Sequence, residues 1–346
     1  MEIIIDLIAG GWNALSEYLS LHVITCLVPA FLIAGAISVF VSKNAILKYF
    51  GRDANRFLAY GIASVSGTIL AVCSCTILPL FGGIYKRGAG IGPAVAFLYS
   101  GPAINILAIT YSARLLGFDL GLGRTIGAIL FSVVIGLVMA FLYRNEEKHK
   151  INDGAFANLC DDPNEKKWWQ QVILFLTLVG ILLFAASSNW IMLGVSLAIL
   201  AIIIWKWFSR EEFGIWMKET WRFVRLITPW LLAGIFIAGI LTVVLPESLV
   251  SRFVGGNSLG ANFFASLFGA LMYFSTLTEV PIIKSLISLG MGKGPSLALL
   301  LAGPALSLPS MLVLRSIMGT KKTLTYIGLV IGLATVAGLV FGIITK

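Results

Sequence analysis

Long apolar runs separated by short basic loops fill the chain, and the interruptions inside those runs are as informative as the runs themselves. A helix needs about 20 apolar residues to cross a bilayer. Ile3 to Leu21 mixes apolar positions with Asp6, Asn13, Ser16 and Glu17, which predicts an amphipathic helix lying at the interface or leading into a first span. That span is expected at His22 to Val41, followed by a basic loop from Ser42 to Arg56. Phe57 to Tyr85 is long for one span, and a break near Cys75 to Pro79 would account for the excess. Ile91 to Tyr111 and Thr125 to Tyr143 are the third and fourth spans. Arg144 to Lys167 is the long polar stretch and reads as a solvated linker. Trp168 to Trp207 has room for two short spans turning at Ser187-Ser188-Asn189, with tryptophans at the ends as in an aromatic belt. Arg210 to Arg225 repeats the amphipathic lead-in, and Leu226 to Leu245, Ala261 to Ile283, Pro295 to Leu314 and Thr323 to Ile344 repeat the four spans.

The stretch from Ala71 to Asn105, AVCSCTILPLFGGIYKRGAGIGPAVAFLYSGPAIN, returns in outline 202 residues later. Pro79 matches Pro281, Gly88 matches Gly290, Gly92-Pro93 matches Gly294-Pro295, and Gly101-Pro102 matches Gly303-Pro304. Paired hydrophobic segments interrupted by Gly and Pro, one per half, point to a transporter's binding site. The plainer reading is that these residues kink and pack helices. The expected fold is an all-α polytopic membrane protein of about ten transmembrane helices, with broken helices at the repeat centres. Residues 1–143 form one four-helix repeat, 144–207 a polar linker with two short spans, and 208–346 the second repeat. Two intervening spans make the repeats parallel; one would make them inverted.

Composition agrees with a membrane protein. Of 346 residues, 58% are hydrophobic and 12% charged, against about 25% charged in a soluble domain. The net charge of +9 sits in loops between apolar spans, where it sets orientation and meets anionic lipid rather than nucleic acid. The side holding both termini carries fifteen Lys and Arg against ten, which places both termini in the cytoplasm. Glu2 and Asp6 stand where a signal peptide would be basic. Four cysteines do not make a disulfide scaffold, and two histidines leave no bis-His haem or zinc-protease site; no cofactor is expected. The partners expected are the bilayer and a small solute, with a homo-oligomer left open.

Three groups carry candidate chemistry. Cys73 and Cys75 point about 200° apart on a regular helix, so they share a ligand only where the helix is unwound. Cys26, at a compatible depth, would complete a trio of soft ligands for a trivalent metalloid. Three thiols exchanging for three hydroxides leave a neutral complex, with no ion stranded in the bilayer. Buried cysteines also pack as small hydrophobes. Glu279, at the position matching Ile77, is an acid inside a span; such residues face cavities and act, here by coupling protons. The alternative is a structural hydrogen bond to Ser275, Thr276 or Thr278. Ser100, Gly101, Pro102 and Asn105 in the first half, with Gly303, Pro304, Ser307 and Ser310 in the second, line the breaks or glue helices together. No nucleotide-binding or hydrolase signature occurs, so an enzyme is not expected.

The Cys73-Ser-Cys75, Pro79, Lys86-Arg87-Gly88 and Ser100-Gly101-Pro102…Asn105 pattern resembles the YraQ-type predicted permeases, relatives of the organoarsenical efflux permease ArsP. Gly303-Pro304 and the two-half layout extend the resemblance over nearly the whole chain. It implies a plasma-membrane permease without ATP hydrolysis and, for the arsenical branch, export of trivalent species by membrane cysteines. Cys73 and Cys75 fit that role by motif, Cys26 by depth alone. The rival readings are a permease or channel for another small solute with structural cysteines, and a membrane thiol oxidoreductase. Cys-x-Cys is a strained loop for a disulfide, and no quinone or haem ligand is evident, which disfavours the oxidoreductase.

Overall fold

A computed structural model describes residues 2–21, 27–40, 55–70, 74–104, 106–146, 168–186, 190–244, 253–273 and 279–345. These residues fold as fifteen helices, with one isolated bridge between Gly255 and Met291. The helices are α1 Glu2–Leu21, α2 Val28–Phe40, α3 Arg56–Leu70, α4 Ser74–Lys86, α5 Ile91–Ala103, α6 Ile106–Leu115, α7 Phe118–Leu142 and α8 Trp168–Ala186. They continue as α9 Trp190–Trp207, α10 Arg210–Val244, α11 Leu259–Leu271, α12 Glu279–Ser288, α13 Lys293–Ala302, α14 Leu308–Met318 and α15 Thr320–Ile344.

By length and composition α7, α9, α15 and residues Arg210–Leu241 of α10 are able to cross a membrane. Ile91–Ala103 and Ala108–Leu115, bent by 46°, qualify as a fifth crossing when taken together. Shorter apolar helices occupy Val28–Phe40, Trp169–Ala185, Leu259–Leu271, Lys293–Ala302 and Leu308–Met318. Hydrophobic side chains cover the outside: Leu122, Ile126 and Leu130 of α7, Ile191 and Ile202 of α9, and Val336 and Val340 of α15 are all exposed. Such a surface suits a lipid solvent, and the chain is a multi-pass helical membrane protein.

The centre belongs to α5 and α13. Every residue of α5 is buried, and so is α13 from Gly294 to Ala302, as befits helices that are apolar all round. Each crosses a long neighbour through glycine. A Cβ on Gly136 of α7 would lie 2.7 Å from the Gly92 carbonyl oxygen of α5. A Cβ on Gly338 of α15 would lie 2.6 Å from the Gly294 carbonyl oxygen of α13. The two crossings stand at matched positions, as do the starts and ends of α7 and α15. The left-handed glycines match in the same way: Gly88 (φ 96°) with Gly290 (φ 103°), and Gly117 (φ 105°) with Gly319 (φ 86°).

Several boundaries differ from the sequence expectations. Helix α4 is described from Ser74 and runs through Pro79, so Cys75 to Pro79 is helical; residues 71–73 lie outside the described residues. Proline 79 removes a donor from the Cys75 carbonyl without ending the helix. The second amphipathic lead-in and its span are one continuous helix, α10, with Pro229 inside it. Helix α1 does not stand apart, because Gly10 and Gly11 bring it against Gly239 and Phe236 of α10. Helices α8 and α9 form a hairpin whose outer ends meet where the rings of Trp169 and Trp207 pack edge-on at 5.0 Å.

The glycine crossings yield a measurable contrast. Gly136→Ala forces two backbones apart and should cost about 1–3 kcal/mol. Gly61→Ala meets nothing within 4 Å and should be neutral or stabilising. Thermal unfolding of the detergent-solubilised variants checks both; equal melting temperatures would show that the crossing tolerates a side chain.

Candidate functional site

Two broken helices meet at the middle of the fold. Helix α5 ends at Ala103, with Pro102 in its last turn, and α13 gives way at Gly303-Pro304-Ala305 before α14 starts. Proline cannot donate to the carbonyl four residues back, so such a break frees backbone acceptors that hydrocarbon cannot satisfy. Two fully buried tyrosines supply donors. Tyr99 Oη donates to the Leu301 carbonyl at 3.1 Å, and Tyr326 Oη donates to the Ala305 carbonyl at 3.2 Å. Tyr99 and Leu301 are 202 residues apart, so the first bond joins matched positions of the two halves.

Beside this crossing lies a buried ion pair. Arg124 of α7 and Glu279, the first residue of α12, approach to 3.3 Å between Nη2 and Oε2. Their side chains are 0% and 1% exposed. Arg124 Nη1 also donates to Ser112 Oγ of α6 at 3.0 Å, and Ser112 Oγ donates to the Ala108 carbonyl at 2.7 Å. One guanidinium therefore ties α6 and α7 of the first half to α12 of the second. A carboxylate at a helix N-terminus is favoured by the helix dipole, which helps hold Glu279 in place. Glu279 packs directly on the break: a Cβ on Gly303 would lie 2.9 Å from Oε1. Among the described residues Arg124 Nε and Glu279 Oε1 have no hydrogen-bond partner. The fork is thus half used, one contact made and one donor and one acceptor left over.

The other residues singled out by sequence divide three ways. Cys26, Cys73, Asn105, Ser275, Thr276 and Thr278 lie outside the described residues, and for Cys75 only the helical backbone is described. Ser100 is fully buried with its hydroxyl engaged, donating to the Ala63 carbonyl of α3 at 2.8 Å and to the Phe97 carbonyl at 3.2 Å. Ser307 caps α14, accepting from the Ser310 amide at 3.3 Å and sharing a 2.7 Å hydroxyl contact with Ser310. Gly101, Pro102, Gly303 and Pro304 are buried at the breaks. Among the described residues no three His, Cys, Asp or Glu side chains come together as a metal site.

Arg124 is the residue that sequence reasoning missed. The fourth span was expected from Thr125, which left Arg124 in the preceding loop; α7 starts six residues before it and buries it completely. The available signal was Glu279 itself, since a carboxylate inside a span calls for a cation.

A family model described as "Predicted permease" (ArsP_1) matches residues 8–343. The chain belongs to this permease family. A UPF0718 protein of Methanocaldococcus jannaschii is 43% identical over all of this chain and 99% of its own. The UPF0718 protein YraQ of Escherichia coli is 24% identical over 90% of this chain and 76% of its own. A Streptococcus mutans protein, named as a two-component membrane permease complex subunit, is 21% identical over 86% of this chain and 83% of its own. No solved structure matches the permease.

The ion pair predicts a non-additive cycle. Removing one partner leaves a buried uncompensated charge, so Arg124→Leu should cost roughly 3–5 kcal/mol, whereas Arg124→Leu with Glu279→Leu should recover most of it. Denaturant unfolding in detergent measures the cycle. If the double variant loses as much as the two single variants together, the pair is not coupled.

Proposed function

We propose that this permease is a secondary transporter of the plasma membrane that exports a small soft solute, trivalent arsenicals and organoarsenicals being the substrate class. One observation carries the reading. A buried ion pair, Arg124–Glu279, joins opposite halves of a chain that belongs to a permease family, beside a helix break that is repeated in both halves. A charged pair is costly to bury, and transporters keep such groups where they act.

In this reading the chain has ten spans in two four-helix repeats, with both termini in the cytoplasm and the two-span hairpin between them. The solute binds near the midplane between the repeats, where the Gly101-Pro102 and Gly303-Pro304 breaks shape the cavity with Asn105. Cys73 and Cys75, with Cys26, bind the trivalent centre by exchanging thiols for hydroxides. Ser100 and Ser307 contribute by fixing the ends of the broken helices, since their hydroxyls are already engaged.

Glu279 couples transport to protons. When Glu279 is ionised, Arg124 holds α12 against α7. A proton entering from outside neutralises the carboxylate and weakens that attraction, so one half can rock against the other. Release of the proton to the cytoplasm restores the pair, and the inward proton movement drives solute outward. No ATP hydrolysis is involved. The permease acts as a transporter rather than an enzyme.

Everted membrane vesicles loaded by methylarsenite uptake give the test. Wild type should accumulate methylarsenite in proportion to an imposed proton gradient. Glu279→Gln should lose the gradient dependence, and Cys73→Ser with Cys75→Ser should lose arsenical uptake. Uptake that survives the double serine substitution removes the thiol site, and flux indifferent to the gradient favours a channel. If wild type takes up no methylarsenite, the arsenical assignment fails and the permease acts on another solute.

A further inference from the structure

The Lys86-Arg87-Gly88 turn takes no part in the transport chemistry above, yet its cations are placed with care. The turn closes α4 and faces the charged half of α10. Lys86 Nζ lies 4.0 Å over the ring of Phe223, a fully buried residue of α10. That ring comes close because residue 82 is glycine; a Cβ there would lie 3.1 Å from Phe223 Cε1. Arg87 reaches the other way, and its Nη2 donates to the Val39 carbonyl of α2 at 2.6 Å. The turn thus joins α4 to both α2 and α10.

Two donors in this joint are unused. Lys86 Nζ and Arg87 Nε are both occluded, and among the described residues neither has a hydrogen-bond partner. A third cation, Arg222, is near enough for its charge to act on Lys86. The carboxylate that opposes them is Glu219, 3.3 Å from Arg222 Nη1, whose charge also reaches Lys86 and Arg87. The end of α4 contributes a partial negative charge that favours cations there, about half an elementary charge. Three cations against one carboxylate and a helix end leave a positive excess. An ammonium without an acceptor beside the exposed guanidinium of Arg222 suits an anion with several oxygens.

The exposed tryptophans beside Arg222 point to the kind of anion. Arg222 stands where α10 passes from its charged first half to its apolar second half. Exposed Trp221 and Trp230 flank it, as tryptophans do at headgroup level, and Arg225 lies 5.6 Å over the Trp221 ring. We propose that Lys86, Arg87 and Arg222 form a binding site for the phosphate of an anionic lipid headgroup, with Glu219 setting its limit of charge. A lipid phosphate bound at the exposed Arg222 sets its charge beside Lys86 and clamps α4 to α10 at the membrane surface. The site is independent of the solute and of Glu279.

The test uses the full-length permease in nanodiscs of pure phosphatidylcholine, or with phosphatidylglycerol added, reading melting temperature and lipid retention by native mass spectrometry. Phosphatidylglycerol should raise the melting temperature and be retained selectively. Lys86→Met with Arg222→Gln should weaken that retention about thirtyfold while melting like wild type in pure phosphatidylcholine. If that variant fails to fold, Arg222→Gln alone, at an exposed side chain, should still weaken retention about fivefold. Equal response to the two lipids, or a variant that retains phosphatidylglycerol as wild type does, overturns the site. Inorganic phosphate that reproduces the shift in pure phosphatidylcholine, with phosphatidylglycerol adding nothing, overturns the lipid assignment and leaves free phosphate as the ligand.

Discussion

A helix broken inside a bilayer leaves carbonyls with no water to bond, and the centre of this permease is built to answer that constraint. The Gly303-Pro304-Ala305 turn exposes acceptors at Leu301 and Ala305, and buried tyrosines from two other helices donate to them. Tyr326 reaches the turn from α15, whose close crossing with α13 is made through Gly294 and Gly338. Those glycines, the proline of the turn and the tyrosine are therefore one requirement expressed at several positions. Replacing the breaks by straight helix would remove the need for the tyrosines, and with it a polar centre among apolar helices.

The ion pair adds a second layer to that centre. The two halves are alike in their glycine crossings and helix ends, but not in charge. The positions matching Arg124 and Glu279 are Tyr326 and Ile77, both buried and neither charged. The matched interface is not free of charge, because Lys322 of α15 lies 3.3 Å from Tyr85 Oη of α4 and 3.4 Å from Glu146, but it has no fully buried ion pair at the matching positions.

How much of this was legible in the sequence follows from which forces act locally. The break at Gly303-Pro304 was legible because glycine and proline act on their own backbone, whereas Gly101-Pro102 lies within the last turn of α5. Pro79 misled for the same reason. It removes one donor, yet α4 is helical from Ser74 through Pro79 to Lys86. The join of Arg210–Arg225 to the next span was not legible, because charge marks depth in the membrane and not the end of a helix. Arg124 escaped because hydropathy counts a buried arginine as loop. Its partner is 155 residues away, and only the fold brings the two together.

The role of sequence-distant charge bears on the basic turn as well. Lys86 and Arg87 look in sequence like an ordinary loop between spans, of the kind that sets orientation. Orientation needs only positive charge in water near the membrane. It does not need Lys86 held over a buried Phe223 ring, a glycine at position 82 to admit that ring, or Arg87 pinned to a carbonyl of α2. Burying the stems and occluding the donors costs desolvation that a freely hydrated loop avoids. The Phe223 ring and the Val39 carbonyl offset part of that cost, and Glu219 is one carboxylate among three cations. The physical reading of the turn therefore passes from orientation to ligation, and the ligand available at that depth is the lipid itself.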